Sequence, residues 1–196
     1  ISLTEEKRQE LIERCYAHNE RLRRLLNEVS LITRMEDGSA LISKEKVIIN
    51  DMVEEIADEL EIMSEEERLT LHSCFEEQVV IEGNLSLIAS IFRNLTENAI
   101  AYSGGKNIFI SLIENNEHEW WIRVEDDGCG VEDKQLSRLF ERFYRVDKGR
   151  SRQMGGTGLG LAIVKHAVLC HGGTITVKNR PQGGLQFDFS LRKQNE

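Results

Sequence analysis

The stretch Gly155-Gly156-Thr157-Gly158-Leu159-Gly160, followed at once by Leu161-Ala162-Ile163-Val164, limits what this chain can become more than any other. Glycines at this density break a helix or strand, and their bare backbone lets N–H groups approach an anion. The apolar run reads as the start of a helix, and a glycine-rich turn at a helix N-terminus suits a phosphate. No Gly-Lys-Ser/Thr closes the turn, so it is not a P-loop. No strand directly precedes it, so the dinucleotide fingerprint fits poorly. Residues 145 to 154 are polar and basic and read as a mobile loop. Taken alone, the stretch fits phosphate binding and an ordinary turn equally well.

At 196 residues, 40% of them hydrophobic, the chain can bury one core plus an appendage. No apolar run approaches the ~20 residues of a membrane span, and no signal peptide is present. Ile1 in place of Met points to an excised piece, so any membrane anchor would lie outside it. Cys15, Cys74, Cys129 and Cys170 are scattered without a C-x-x-C and read as reduced thiols of a cytosolic protein. A metal site built from Cys170, His171 and His166 has poor ligand geometry. The net charge of −9 argues against nucleic-acid binding. The local exception is Arg138, Arg142, Arg145, Lys148, Arg150 and Arg152, set against only Glu141 and Asp147. Such a stretch suits a nucleotide triphosphate, but charge alone favours a solvated basic loop.

Leu11, Cys15, His18, Leu22, Leu25, Val29 and Ile32 alternate spacings of four and three, the heptad seam of one long helix. A single helix cannot bury such a seam, so partner helices from a second chain or another segment are expected. His18 lies on the seam and reads as a packing residue. Gly38 is placed to stop the helix. Val47-Ile48-Ile49 reads as a strand, with Asn50 capping a helix that carries Met52, Val53, Ile56, Ala57 and Leu60 on one side. Residues 68–75 and 79–82 suggest short strands. An amphipathic helix is expected from Asn84 to about Tyr102. A hairpin follows over 107–113 and 119–125 around Asn115-Asn116. Residues 126–157 read as irregular apart from a short helix over 133–143, and loops this long are usually functional. A helix from Leu159 to about Cys170 and strands over 174–178 and 185–191 close the chain. The expected class is α+β, a two-layer sandwich of a mixed sheet with helices on one face, preceded by one long coiled-coil-like helix.

Asn94 and Asn98, four residues apart, share one helix face, where amide oxygens can ligate Mg²⁺ or meet phosphate. They also fit a polar outer face. Asp126-Asp127-Gly128-Cys129-Gly130 ends a strand with a carboxylate able to accept from an exocyclic amine such as adenine N6, although many acidic turns look alike. Phe140-Glu141-Arg142-Phe143-Tyr144-Arg145 interleaves aromatics with arginines, as a short packing helix also would.

In this order and at these spacings, the segments resemble the ATP-binding half of sensor histidine kinases, within the superfamily that includes gyrase, the heat-shock chaperone and the mismatch-repair ATPases. Residues 94–99 with Tyr102 look like its N box, and 126–130 resemble the first glycine box. Residues 140–144 resemble the F box, and 156–160 the second glycine box. The resemblance covers residues 46–191, and residues 1–38 are similar to the second helix of the dimerisation domain. It implies a Bergerat-type ATP-binding fold over 46–196, joined to an incomplete dimerisation domain (1–38) through a connector (39–45).

By the same resemblance, Asn98 coordinates a phosphate-bridging Mg²⁺ and Asn94 assists near the phosphates. Tyr102 packs by the adenine and Asp126 reads its amine, while Gly128 and Gly130 shape the entry to a lid. Phe140 belongs to the F box, and Arg142 and Arg145 meet the phosphates. Gly156, Thr157, Gly158, Leu159 and Gly160 close on them. The implied partners are ATP, a second copy joined through the N-terminal helix, and a response-regulator receiver domain. The implied location is the cytoplasmic portion of a membrane-anchored sensor.

Two departures stand out. Ala101 occupies a position where the family often has a phosphate-contacting lysine, so either Lys148, Arg150 or another lid cation substitutes or the affinity is lower. No His-Glu-x-x-Thr-Pro-like segment surrounds any of His18, His72, His118, His166 or His171, so this chain should bind ATP without phosphorylating itself. A gyrase-like hydrolase is disfavoured because the amide of Asn94 stands where such enzymes carry a water-activating glutamate. The coiled-coil-like helix argues against an anti-sigma-type serine kinase. A scaffold with a degenerate site is the remaining rival.

Overall fold

The computed structural model describes residues 4–37, 43–62, 69–146 and 156–193. Helix α1 (Glu5–Glu36) starts where the Thr4 hydroxyl accepts the Lys7 N–H, and Asp37 caps its end. The stop expected at Gly38 lies outside the described residues. Strand β1 (Glu45–Ile48) runs directly into α2 (Ile49–Ile62). Ile49 is therefore helical, and Asn50 does not cap the helix as expected from the sequence. Its amide instead accepts the Val79 N–H at 2.8 Å and donates to the Glu77 carbonyl at 3.1 Å, fastening the segment ahead of β3.

Strands β2 (Thr70–Cys74) and β3 (Val80–Gly83) are neighbours in sequence but belong to different sheets. β3 pairs antiparallel with β1, while β2 pairs parallel with β4 (Asn107–Asn115). Helix α3 (Leu85–Asn98) is capped by Asn84, whose side chain accepts the Leu87 N–H at 3.0 Å. Beyond Asn98 the expected α-helix gives way to a π-helical turn over Ala99–Ser103, ended by Gly104. The remaining elements are β5 (Glu119–Asp126), α4 (Asp133–Leu136), α5 (Gly160–Cys170), β6 (Ile175–Asn179) and β7 (Leu185–Arg192). The helix expected over 133–143 is thus only a short turn of helix, and the chain continues through turns to Val146.

The main sheet has five strands in the order β2-β4-β5-β7-β6, with β2–β4 the parallel pair. Along β5, Trp120, Ile122, Val124 and Asp126 are buried and alternate with half-covered Trp121, Arg123 and Glu125, the period of a sheet with one covered face. The covering layer is helical. Phe92 of α3 meets Phe189 of β7 edge to face, with ring centroids 5.8 Å apart. One core joins Leu87, Ile88, Ile91 and Leu95 of α3 with Ile163, Val164 and Ala167 of α5 and with Ile108, Ile122 and Phe187 of the sheet. This is the α+β sandwich expected from the sequence.

The heptad seam is resolved in two parts. Ile32, with neighbouring Met35, is buried in the core cluster, and α1 packs on α5. The chain therefore covers the end of its own seam, contrary to the expectation that every partner is external. Leu11, Leu22 and Val29 remain exposed.

Candidate functional site

The site grows from α3. The Asn94 side chain donates to the Ser90 carbonyl and the Asn98 side chain to the Asn94 carbonyl, each at 2.7 Å. With one N–H of each amide turned back on the helix, both Oδ1 atoms are left to accept from or ligate a bound group. Opposite them stands the first residue of α5, Gly160, so close that a Cβ there would come within 2.6 Å of Asn94 Oδ1. The asparagine pair thus faces a helix N-terminus, where unpaired N–H groups favour an anion.

At the other end, Asp126 occupies the last inward position of β5 and is buried. Its Oδ1 accepts the Gly128 N–H at 2.9 Å, and the loop is tied back to the π-helical turn by Cys129, whose N–H donates to the Ser103 carbonyl at 2.9 Å. Burial pushes the Asp126 carboxyl above its ordinary range. N–H groups of Gly128 and Leu185 and the nearby Arg180 pull it back, and Asp127 pushes it up again. Asp127 does different work. Although burial opposes it, the Asn107 side chain and the Asn107 and Lys106 N–H groups hold its carboxyl below the ordinary range. It anchors the start of β4. Gly130 packs on the Asn179 side chain, which receives the Val131 N–H at 3.0 Å.

Between the two ends, Tyr102 stands half exposed on the π-helical turn with its hydroxyl against Gly156. Phe140 packs edge to face on Phe187 at 6.4 Å. Phe143 donates its N–H to the Gly158 carbonyl at 2.8 Å, so the aromatic-arginine segment and the glycine turn are bonded to each other. Thr157 accepts the Leu159 N–H at 3.2 Å, and Leu159 is buried. One nitrogen of Arg145, Nη2, is buried without a hydrogen-bond partner among the described residues and lies near Gly156. An anion would satisfy it. Lys148 falls outside the described residues.

Two contacts from α1 carry no sequence signal. Glu36 ion-pairs with Arg142, which also approaches His166 Nε2 at 3.3 Å. Glu28 hydrogen-bonds to Thr157, and burial raises its carboxyl, a shift that this bond and Arg24 oppose and Glu97 adds to. Arg142 is therefore engaged by α1 here, rather than by the asparagine pair. A carboxylate on a helix surface gives no hint of a partner 106 residues away.

The sequence profile of the histidine kinase-, DNA gyrase B- and HSP90-like ATPases matches residues 83–195, starting at the end of β3. The chain belongs to this ATPase family. Among its relatives, the sensor histidine kinase WalK of Bacillus subtilis (strain 168) is 32% identical over 179 residues, 90% of this chain. The sensor-like histidine kinase SenX3 of Mycolicibacterium smegmatis is 33% identical over 180 residues, 91% of the chain. The chain spans 29% and 47% of the length of these two relatives. Full-length ShkA, solved in complex with AMPPNP, shares the fold over 100% of this chain and 41% of its own length, with a TM-score of 0.78 at 22% identity. The matched region of this ATPase family member contains every site segment described above, while α1 lies outside it.

Proposed function

We propose that this chain is the ATP-binding catalytic part of a sensor histidine kinase. It would deliver the γ-phosphate of ATP to a histidine that the chain does not contain, for onward transfer to an aspartate of a response regulator. One observation carries the reading. Four separate segments touch one another: Gly160 lies against Asn94 and Gly156 against Tyr102, while Phe143 bonds to Gly158 and Cys129 to Ser103, so amide oxygens and a helix N-terminus stand on one side and the buried Asp126 carboxylate on the other. The names of the relatives, and the nucleotide analogue bound by ShkA, support it.

In this reading Asp126 accepts the adenine amine, Tyr102 covers the base, and Gly128 and Gly130 shape the entry. Asn94, Arg145, Lys148 and residues Gly156 to Gly160 meet the phosphates, and Arg142 joins them once released from Glu36. Phe140 seats the segment that carries the arginines. The donor set fits Mg²⁺ in a limited way. Asn98 supplies a neutral oxygen, and among the described residues no cluster of His, Cys, Asp or Glu could hold a metal alone. The ion would therefore arrive largely with the phosphates and, when bound, spread their charge. The protein's share is to orient the nucleotide and exclude water, most of what phosphoryl transfer requires.

Residues 1–38 would belong to a dimerisation domain, 39–45 to a connector and 46–196 to the catalytic domain. The exposed seam residues Leu11, Leu22 and Val29 would meet a second copy. Among the described residues no helix is long and apolar enough to cross a membrane, and the proposed location is the cytoplasmic side of a sensor anchored elsewhere. The test uses γ-labelled ATP and Mg²⁺. The chain should bind ATP yet carry no acid-labile label, and joining a helix with a His-Glu-x-x-Thr-Pro segment ahead of residue 1 should bring the label onto that histidine. Stable phosphohistidine on the chain itself, or no transfer to the added helix, would refute the assignment.

A further inference from the structure

We infer that Arg180 is a positioning residue for adenine recognition, fixing the end of β5, and with it the aim of Asp126, from the sheet face away from the helices. The inference rests on the reading of Asp126 as the adenine acceptor. Arg180 lies in the turn between β6 and β7, where its N–H donates to the Gly184 carbonyl and its carbonyl accepts the Gly183 N–H. Its guanidinium makes three contacts at one place. Nη1 donates to the Asp126 carbonyl at 2.6 Å. Nε lies 2.9 Å from Glu125 Oε1, an ion pair whose N–H is not aimed along a hydrogen bond. The plane stands over the Phe109 ring, 5.4 Å from its centroid.

These contacts surround one point of the sheet. Phe109 and Glu125 are register partners on β4 and β5, with side chains on the face away from the helices. Asp126, the next residue, points to the other face. The Arg180 and Glu125 side chains are only 16% and 19% exposed, so this pair is shielded from water far more than an ordinary surface bridge. Gly184 presses on the Asp126 carbonyl so closely that no side chain could fit there. The carboxylate is thus gripped through its own backbone.

Arg180 is also the cation that acts on Asp126 across this contact, against burial and the anionic Asp127. An ionised carboxylate can only accept, so it takes the adenine amine hydrogen and rejects guanine, which presents an acceptor oxygen there; a protonated carboxyl could donate to that oxygen and would lose the preference. Lysine cannot replace the three-point fork, although it keeps the charge.

The experiment is calorimetric titration of the wild-type chain, R180M, R180K and D126N with ATP and with GTP at pH 8 and pH 6, alongside thermal melts. R180M should lose about tenfold in ATP affinity, the scale of one charge-assisted hydrogen bond. Its preference for ATP over GTP should shrink, and the loss should deepen at pH 6. R180K should keep the wild-type pH profile while recovering only part of the preference. Wild-type binding by R180M, or equal losses for both nucleotides with no pH dependence, would overturn the inference. If R180M does not melt cooperatively, the ATP-to-GTP ratio of R180K decides: a lowered ratio supports the inference and an unchanged one overturns it. If the wild-type chain fails to bind ATP, or D126N binds it undiminished, the reading of the site itself fails.

Discussion

Phe143 and Gly158 are joined by a backbone hydrogen bond of 2.8 Å, at a point where neither backbone is ordinary. Phe143 has φ of 61° and is, among the described residues, the one non-glycine residue in the left-handed region. Gly158 has φ of 76°. A Cβ on Gly158 would stand 3.0 Å from the Phe143 Cα. The pair forms a strut between the aromatic-arginine segment and the N-terminus of α5. Gly158→Ala meets both an unfavourable φ and a backbone contact, and should cost on the order of 1–2 kcal/mol at this strut. Because Gly158 belongs to the turn proposed to close on the phosphates, the cost should appear in nucleotide binding as well as in stability. Titration with ATP and a thermal melt will separate the two; an unchanged affinity would remove the strut from the binding account.

Glu36 competes with phosphate for Arg142 in the proposed scheme. Both side chains are nearly half exposed, so the pair is worth no more than ~1 kcal/mol. Glu36→Ala should free the guanidinium and tighten ATP binding about two- to fivefold. Affinity that stays level or falls would mean Arg142 gains nothing from leaving α1.

Much of this was legible in the sequence because local rules act strongly there. Apolar Trp120, Ile122 and Val124 at every second position make β5 a strand with one covered face, and extending the period by one step places Asp126 inward. Asn84 signals its helix through a side chain that caps the next turn. Asn94 and Asn98 share a face by helical period alone. Other features depend on groups distant in sequence. Asn50 is a residue type that caps helices well, but Val79 and Glu77 claim its amide. The π-helical turn at Ala99 carries no composition signal. The parallel pairing of β2 with β4 and the grip of Arg180 on β5 become visible only once the sheet order is known.

His171 links folding to pH. It is buried, accepts the Asn84 N–H at Nε2 (3.1 Å) and faces the Ala167 carbonyl through Nδ1. Burial lowers its pKa below 6.5, with Lys44 adding to the shift and the Ala167 carbonyl opposing it. The unfolded chain therefore takes up this proton first, so stability is full above about pH 6.5 and falls as the pH drops toward the folded pKa. His166, lowered by burial and by Arg142, acts in the same direction. The raised carboxylates Glu28 and Asp126 act in the opposite one. Urea unfolding between pH 7.5 and 5.5 should show a smaller stability loss in His171→Asn than in the wild-type chain. Equal slopes would rule out His171 as a source of the pH dependence.

The central claim is that Asn98 and Asp126 hold the two ends of one ATP molecule. Calorimetric titration of the chain with ATP in Mg²⁺ measures it directly, using Asn98→Ala and Asp126→Asn as the paired variants. The account predicts one ATP per chain, with affinity lowered about tenfold or more by each substitution. Removing Mg²⁺ should weaken the wild-type chain far more than Asn98→Ala. Undiminished binding in both variants would contradict it.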